Sequence, residues 1–238
     1  MDFSWEQLQA GTLLIDVLRE RPDLLVMLSL YSTFFREGYS NQELHSQIAQ
    51  LVATPGYYQT DMLAWRHLDL LVGVEELGLF DSLDSEILES FNRTWLSKCH
   101  APWTITDPAA YGLTHAAFYM TNYGVGVSRL PARCESYLLE NCLPWARMYL
   151  DAGNFDLAAE MLMTRCCVHA PLDISEQALC GDFLSARLKD GALPCPPYGA
   201  LSLLFGEADP GRRYFLLHYH TVLVTCMASA MAVNRGAL

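Results

Sequence analysis

The sequence predicts an all-α protein, with paired helices in a curved or closed α/α array around a central pocket; an irregular helical bundle is the alternative. Three observations lead there. No segment alternates polar and apolar residues with period two, and no Asn-Gly or Asp-Gly turn joins two β-branched runs. Helix caps and stops recur along all 238 residues. Uncharged helical segments alternate with charged ones, as inner and outer helices of an array would.

In chain order, "SWEQ" at 4–7 reads as a capping box that opens a helix lasting to Pro22. "DLLVMLSLYSTFFREG" follows, with Gly38 as its C-cap. "SNQE" at 40–43 opens another helix, which "TPG" at 54–56 closes. From Asp61 a rhythm sets in. Asp61 to Gly78, Asp107 to Gly124 and Asn154 to Pro171 each read as cap, apolar helix and stop, with Pro108 at the favoured first helical position. Their starts lie 46 and 47 positions apart, a spacing typical of two-helix repeats. Charged helices fall between them at 81–98, at 132–151 with a bend at Pro144, and at 175–191. A Pro-rich loop at 191–199 leads to an uncharged helix over 214–234. The expected organisation is a single domain, with N-terminal helices over 1–56 and a repeat-like core over 57–238.

Hydrophobic residues make up 52% of the chain and charged ones 18%, below the usual charged share of about 25%. A net charge of −12 argues against nucleic acid and against an anionic membrane surface as partners. The opening "MDFSWEQLQAG" carries Asp2 and Glu6 and no basic residue, which is not a secretory signal, so a cytoplasmic location is expected. The eight cysteines form no C-x-x-C pair and read as reduced, buried thiols, with no zinc site. Two uncharged runs, 108–128 and 214–234, approach the length of a membrane span. The first is broken by glycines and the second holds His218, His220 and Thr221, so both read as buried central helices of a soluble protein.

"LTHAAFYMTNYG" at 113–124 lies inside the first of these runs and is rich in hydrogen-bonding groups. Tyr111, His115 and Tyr119 are four apart and Asn122 three further on, so all four share one helix face. Burying each without a partner costs about 1–3 kcal/mol, which a stripe avoids by facing a wet or ligand-filled cavity. His67 and Asp69 are two apart and point about 200° from each other, as do His218 and His220, so one of each pair faces inward. Aligned helix starts pair Asp69 with His115. In this reading His115 is the proton shuttle, oriented by Asp69 or His220, while Tyr111 and Tyr119 position a small, fairly apolar substrate. His67, Asn122, Thr121 and Thr221 complete the binding set. No cofactor motif is present.

"DMLAWRHLDLL" at 61–71, "LTHAAFYMTNYG" and "YHTVLV" at 219–224 together resemble a family of uncharacterised actinobacterial helical proteins whose second motif reads L-T-H-x-x-F-Y-x-T-D-F-G. The likeness covers residues 55 to 230, with Asn122 and Tyr123 standing where that motif has Asp and Phe. His115, Thr121, His220 and Thr221 match its polar positions. The resemblance implies a place beside natural-product biosynthesis genes and brings no established activity with it. The expected function is therefore a cofactor-independent tailoring enzyme of secondary metabolism that cyclises, isomerises or condenses its substrate. The alternatives are a helical binding or scaffold protein, acting as a homodimer or with a pathway partner, and a metal-dependent enzyme with His and Asp ligands.

Overall fold

The computed structural model describes the chain apart from residues 24–25, 55, 57–60, 169–173, 196–208 and 235–238, and apart from the side chains of 26, 174–177 and 184. The protein is all-α: among the described residues there are helices and turns and no strand. The chain forms two compact units, Met1–Ser97 and Lys98–Leu238. The boundary expected near residue 56 falls inside the first of them.

Among the described residues the first unit holds six α-helices. The expected opening helix is two: α1 (Asp2–Gln7) and α2 (Thr12–Glu20), separated by a 3-10 turn at Gln9–Gly11. Gly11 causes the break. It sits at φ 90, and a Cβ there would come within 3.0 Å of Trp5 and 3.1 Å of Asn41, so the close approach requires glycine. Asn41 Nδ2 donates to the Ala10 carbonyl at 2.8 Å and holds the turn in place. Ser4 makes no cap; α1 starts behind Met1.

α3 (Val26–Arg36) ends as read from the sequence, with Gly38 at φ 88 and Tyr39 N–H closing onto the Phe34 carbonyl. α4 (Gln42–Ala53) is capped by Asn41, whose side chain accepts from Leu44 N–H. α5 (Ala64–Glu76) begins behind Leu63, so Asp61 is not its cap. α6 (Asp84–Asn92) is shorter than the 81–98 expected. The hydroxyls of Thr94 and Ser97 bond to the carbonyls of Phe91 and Asn92, and this competition ends the helix. α3 packs on α5, α5 on α6 and α2 on α4, around buried Leu18, Tyr31, Leu44, Leu68, Leu71 and Phe91.

The second unit holds α7 (Asp107–Thr121), α8 (Ala132–Asp151), α9 (Phe155–Cys167), α10 (Ile174–Ser185) and α11 (Pro210–Asn234). Thr106, not Asp107, caps α7. α8 runs unbroken by Pro144. Asn154 caps α9 as expected, whereas His169 and the Pro171 stop lie outside the described residues. The caps of α5, α7 and α9 stand at 63, 106 and 154, spaced by 43 and 48, so the equal spacing read from the sequence is not kept. α9 is the central helix of this unit: α7, α8 and α11 all pack on it, and nearly every residue from Asp156 to Cys167 is buried.

α11 departs from the buried central helix expected. One face, with Thr221, Val224, Thr225, Ala228 and Ala232, is buried. The opposite face leaves Phe215, Tyr219, Leu223, Met227 and Val233 exposed. It is long and apolar enough to cross a membrane, the one such helix among the described residues, and 28% of its most apolar stretch is buried.

Candidate functional site

α9 carries two carboxylates one turn apart, Asp156 and Glu160, with relative exposures of 3% and 2%. Four residues apart on an α-helix means one face. That face is met by α7 and α11, which supply the partners.

On Asp156 two donors converge. Tyr111 of α7 donates its phenol to Oδ2 at 2.6 Å. His220 of α11 places Nδ1 2.7 Å from Oδ1. A carboxylate accepts, so the neutral imidazole carries its proton on Nδ1 and Nε2 keeps its lone pair. The His220 side chain is half exposed, against 4% for that of Asp156. The Asp156 hydrogen bond raises the His220 pKa above its ordinary value, against the opposing pull of burial. Burial and the two α9 carboxylates drive the Tyr111 phenol strongly upward, so it stays a donor. Asp156 is the second residue of α9, where the partial positive charge of a helix N-terminus favours an anion.

Glu160 has a different environment. Burial pushes its carboxyl up to about 8, and Asp156 adds to that push while the Thr114 hydroxyl opposes it. Thr114 Oγ1 lies 2.5 Å from Glu160 Oε2 and 3.1 Å from the Tyr111 carbonyl. With Glu160 protonated, its O–H donates to Thr114 and the threonine donates onward to the carbonyl. The two carboxylates thus differ: Asp156 pairs with an imidazole, while burial raises the Glu160 carboxyl above its ordinary range.

His115 lies beside this second group. Its Nδ1 donates to the Tyr111 carbonyl at 2.8 Å and stands 3.7 Å from Glu160 Oε2. Its ring is surrounded by Tyr111, Phe118 and Tyr119, with centroids 5.8–6.4 Å away. The shared face of Tyr111, His115 and Tyr119 is therefore real. His115 and His220 are both bonded through Nδ1, His115 to a main-chain carbonyl and His220 to a carboxylate.

The remaining expected residues scatter. Asn122 leaves the helix as its left-handed C-cap, at φ 45. The Thr121 hydroxyl bonds to the Ala117 carbonyl at 2.7 Å and has a structural role. Thr221, next to His220, is 1% exposed, and its hydroxyl has no partner among the described residues. His218 turns away, with Nδ1 at 2.7 Å from the Leu193 carbonyl, so of that pair His220 faces the carboxylates. His67 and Asp69 belong to α5 in the first unit, where His67 Nδ1 meets Ser90 Oγ at 3.1 Å. Within the second unit the carboxylates beside His220 and His115 are Asp156 and Glu160. Among the described residues no three of His, Cys, Asp and Glu are grouped to hold a metal ion.

The cap of α9 sets the position of both carboxylates. Asn154 Oδ1 accepts from Leu157 N–H at 3.2 Å while 7% exposed. Asn154→Ala is expected to lower stability by about 1–2 kcal/mol, measured as a shift in the urea midpoint with unchanged slope.

Residues 1–230 match the model of a family described as Domain of unknown function (DUF6895), and the chain belongs to that family. No curated protein matches the chain, and no solved structure does.

Proposed function

We propose that this protein is an acid–base enzyme acting on a small, fairly apolar substrate, as a cofactor-independent tailoring enzyme of a cytoplasmic secondary-metabolite pathway. The observation that carries the reading is the buried Asp156 carboxylate shared by His220 Nδ1 at 2.7 Å and Tyr111 Oη at 2.6 Å. A carboxylate on Nδ1 fixes the imidazole tautomer, so Nε2 takes a proton from the substrate and Asp156 stabilises the imidazolium that forms. Returning that proton at another atom gives isomerisation, cyclisation or condensation. Tyr111 holds the second carboxylate oxygen and so sets the plane of the pair. The Thr221 hydroxyl, which has no partner among the described residues, supplies a donor for a substrate oxygen. Tyr119, beside His115, supplies another.

The test is proton transfer itself. The chain is incubated in deuterated water with the intermediates of the pathway encoded beside its gene. Enzyme-dependent deuterium uptake is expected in one of them. His220→Gln is expected to cut the rate by about 10²-fold or more. Uptake unchanged in that variant would remove His220 as the base.

A second reading is favoured by the exposed apolar face of α11: a binding or scaffold protein that docks a second copy or a pathway protein through Phe215, Tyr219, Leu223 and Met227. It predicts a co-purifying partner that Leu223→Lys releases and His220→Gln does not.

A further inference from the structure

We infer that Cys99 and Cys134 are a thiol pair built to close reversibly into a disulfide when the protein meets a hydroperoxide. The two sulfurs lie 3.8 Å apart and share a hydrogen bond. Cys99 is partly exposed, and Cys134 is buried near the start of α8. Both belong to the second unit, so one compact body holds them.

The segment carrying Cys99 is strapped onto α8. Tyr137 donates its phenol to the His100 carbonyl at 2.7 Å, and Trp145 donates Nε1 to the Pro102 carbonyl at 3.2 Å. The Tyr137 and Trp145 rings brace each other edge to face, with centroids 5.6 Å apart. Cys99 itself has φ 46, a left-handed conformation uncommon for a residue with a Cβ. Such a backbone persists where its surroundings over-determine it. Two anchors immediately after Cys99 therefore hold its sulfur 3.8 Å from that of Cys134, a gap that closure shortens to a bond of about 2 Å. Burial, and Cys99 beside it, raise the Cys134 pKa, so the more accessible Cys99 is the sulfur that meets the oxidant.

The chemistry balances in two steps. The Cys99 sulfur attacks the terminal oxygen of the hydroperoxide and the O–O bond breaks. The alcohol, or water from hydrogen peroxide, leaves with the thiol proton, and Cys99 becomes a sulfenic acid. The Cys134 sulfur then attacks Cys99 sulfur, the S–O bond breaks and water leaves with the second thiol proton. Two thiols lose two electrons and the peroxide gains them.

The experiment uses the reduced full chain, treated with hydrogen peroxide, then denatured, alkylated and mapped by mass spectrometry. Exposed Cys226 gauges oxidant dose within each sample. A linked peptide joining Cys99 to Cys134 is expected, with free thiols falling from the eight of the reduced chain by two and returning with dithiothreitol. Closure of the loop, its ends 35 positions apart, is expected to raise Tm by about 10 °C. Cys226 modified while Cys99 and Cys134 both remain thiols would overturn the inference. So would Cys99 advanced to the sulfinic acid beside a free Cys134. The parent chain alone decides the outcome; Cys99→Ser and Cys134→Ser serve as controls that should lose the linked peptide.

Discussion

Asp156→Asn is expected to reduce turnover by about 10²–10⁴-fold and to destabilise the fold by about 2–4 kcal/mol. Both effects have one origin. The carboxylate accepts from Tyr111 on one oxygen and from His220 on the other. An amide offers a single acceptor, so one of the two donors faces an N–H₂ group and must turn or lose its bond. If the amide oxygen stays on Tyr111, the amide nitrogen meets His220 Nδ1 and forces the other tautomer. The proton then occupies Nε2, the atom that should receive it. If the amide turns around, His220 keeps its tautomer but no negative charge stabilises its imidazolium. Either way the base weakens. Tyr111→Phe removes one donor and leaves the His220–Asp156 pair, so it should cost less, about 10-fold in turnover. The order of the two variants is therefore a check on the assignment: Tyr111→Phe falling below Asp156→Asn in activity would reverse the roles given to the imidazole and the phenol.

Stability should fall as pH rises from 4.5 to about 8, with Glu160 and His220 both contributing. The ordinary value of Glu160 is 4.5 and the folded chain raises it to about 8. A raised carboxyl binds its proton more tightly in the folded chain than in the unfolded one. Its stabilising contribution is complete below 4.5 and is lost progressively as pH climbs to about 8, with a slope of at most about 1.4 kcal/mol per pH unit. Glu160→Gln keeps the shape and a donor to Thr114 with no proton to lose. Its unfolding midpoint should decline less steeply than the parent's across that range, because His220, whose pKa folding also raises, is the group that still loses a stabilising proton. A Glu160→Gln midpoint that declines as steeply as the parent's up to about pH 8 would mean that Glu160 is ionised when folded, with Thr114 donating to it.

The helical class was legible because capping signals were local and strong. Asn154 caps α9 and Gly38 ends α3, each where a side chain or its absence decides the backbone. The break at Gly11 was not legible, since its cause is the approach of Trp5 and of Asn41 from another helix. The Asp69–His115 pairing rested on equal helix starts, and α5 and α7 begin elsewhere than their acidic residues suggested. On the site, the polar stripe of α7 and the split between His218 and His220 could be read from helical periodicity. The carboxylates could not be ranked the same way, because a lone Asp or Glu on a helix ordinarily marks its solvent face. A signal was nonetheless present. "FDLAAEMLMT" sets two carboxylates one turn apart in a segment otherwise apolar enough to be an inner helix. Burying both is costly without partners, so the segment itself asked for an imidazole, a phenol or a hydroxyl from its neighbours.

The most direct measurement is an NMR pH titration of His220 with ¹⁵N-labelled histidine, in the parent and in Asp156→Asn. The parent imidazole should show its neutral form with the proton on Nδ1 and a midpoint above the ordinary 6.5, and the variant should show a midpoint lower than the parent's. A His220 that carries its proton on Nε2, or titrates alike in both proteins, would mean that Asp156 does not hold this imidazole, and the acid–base site described here would not exist.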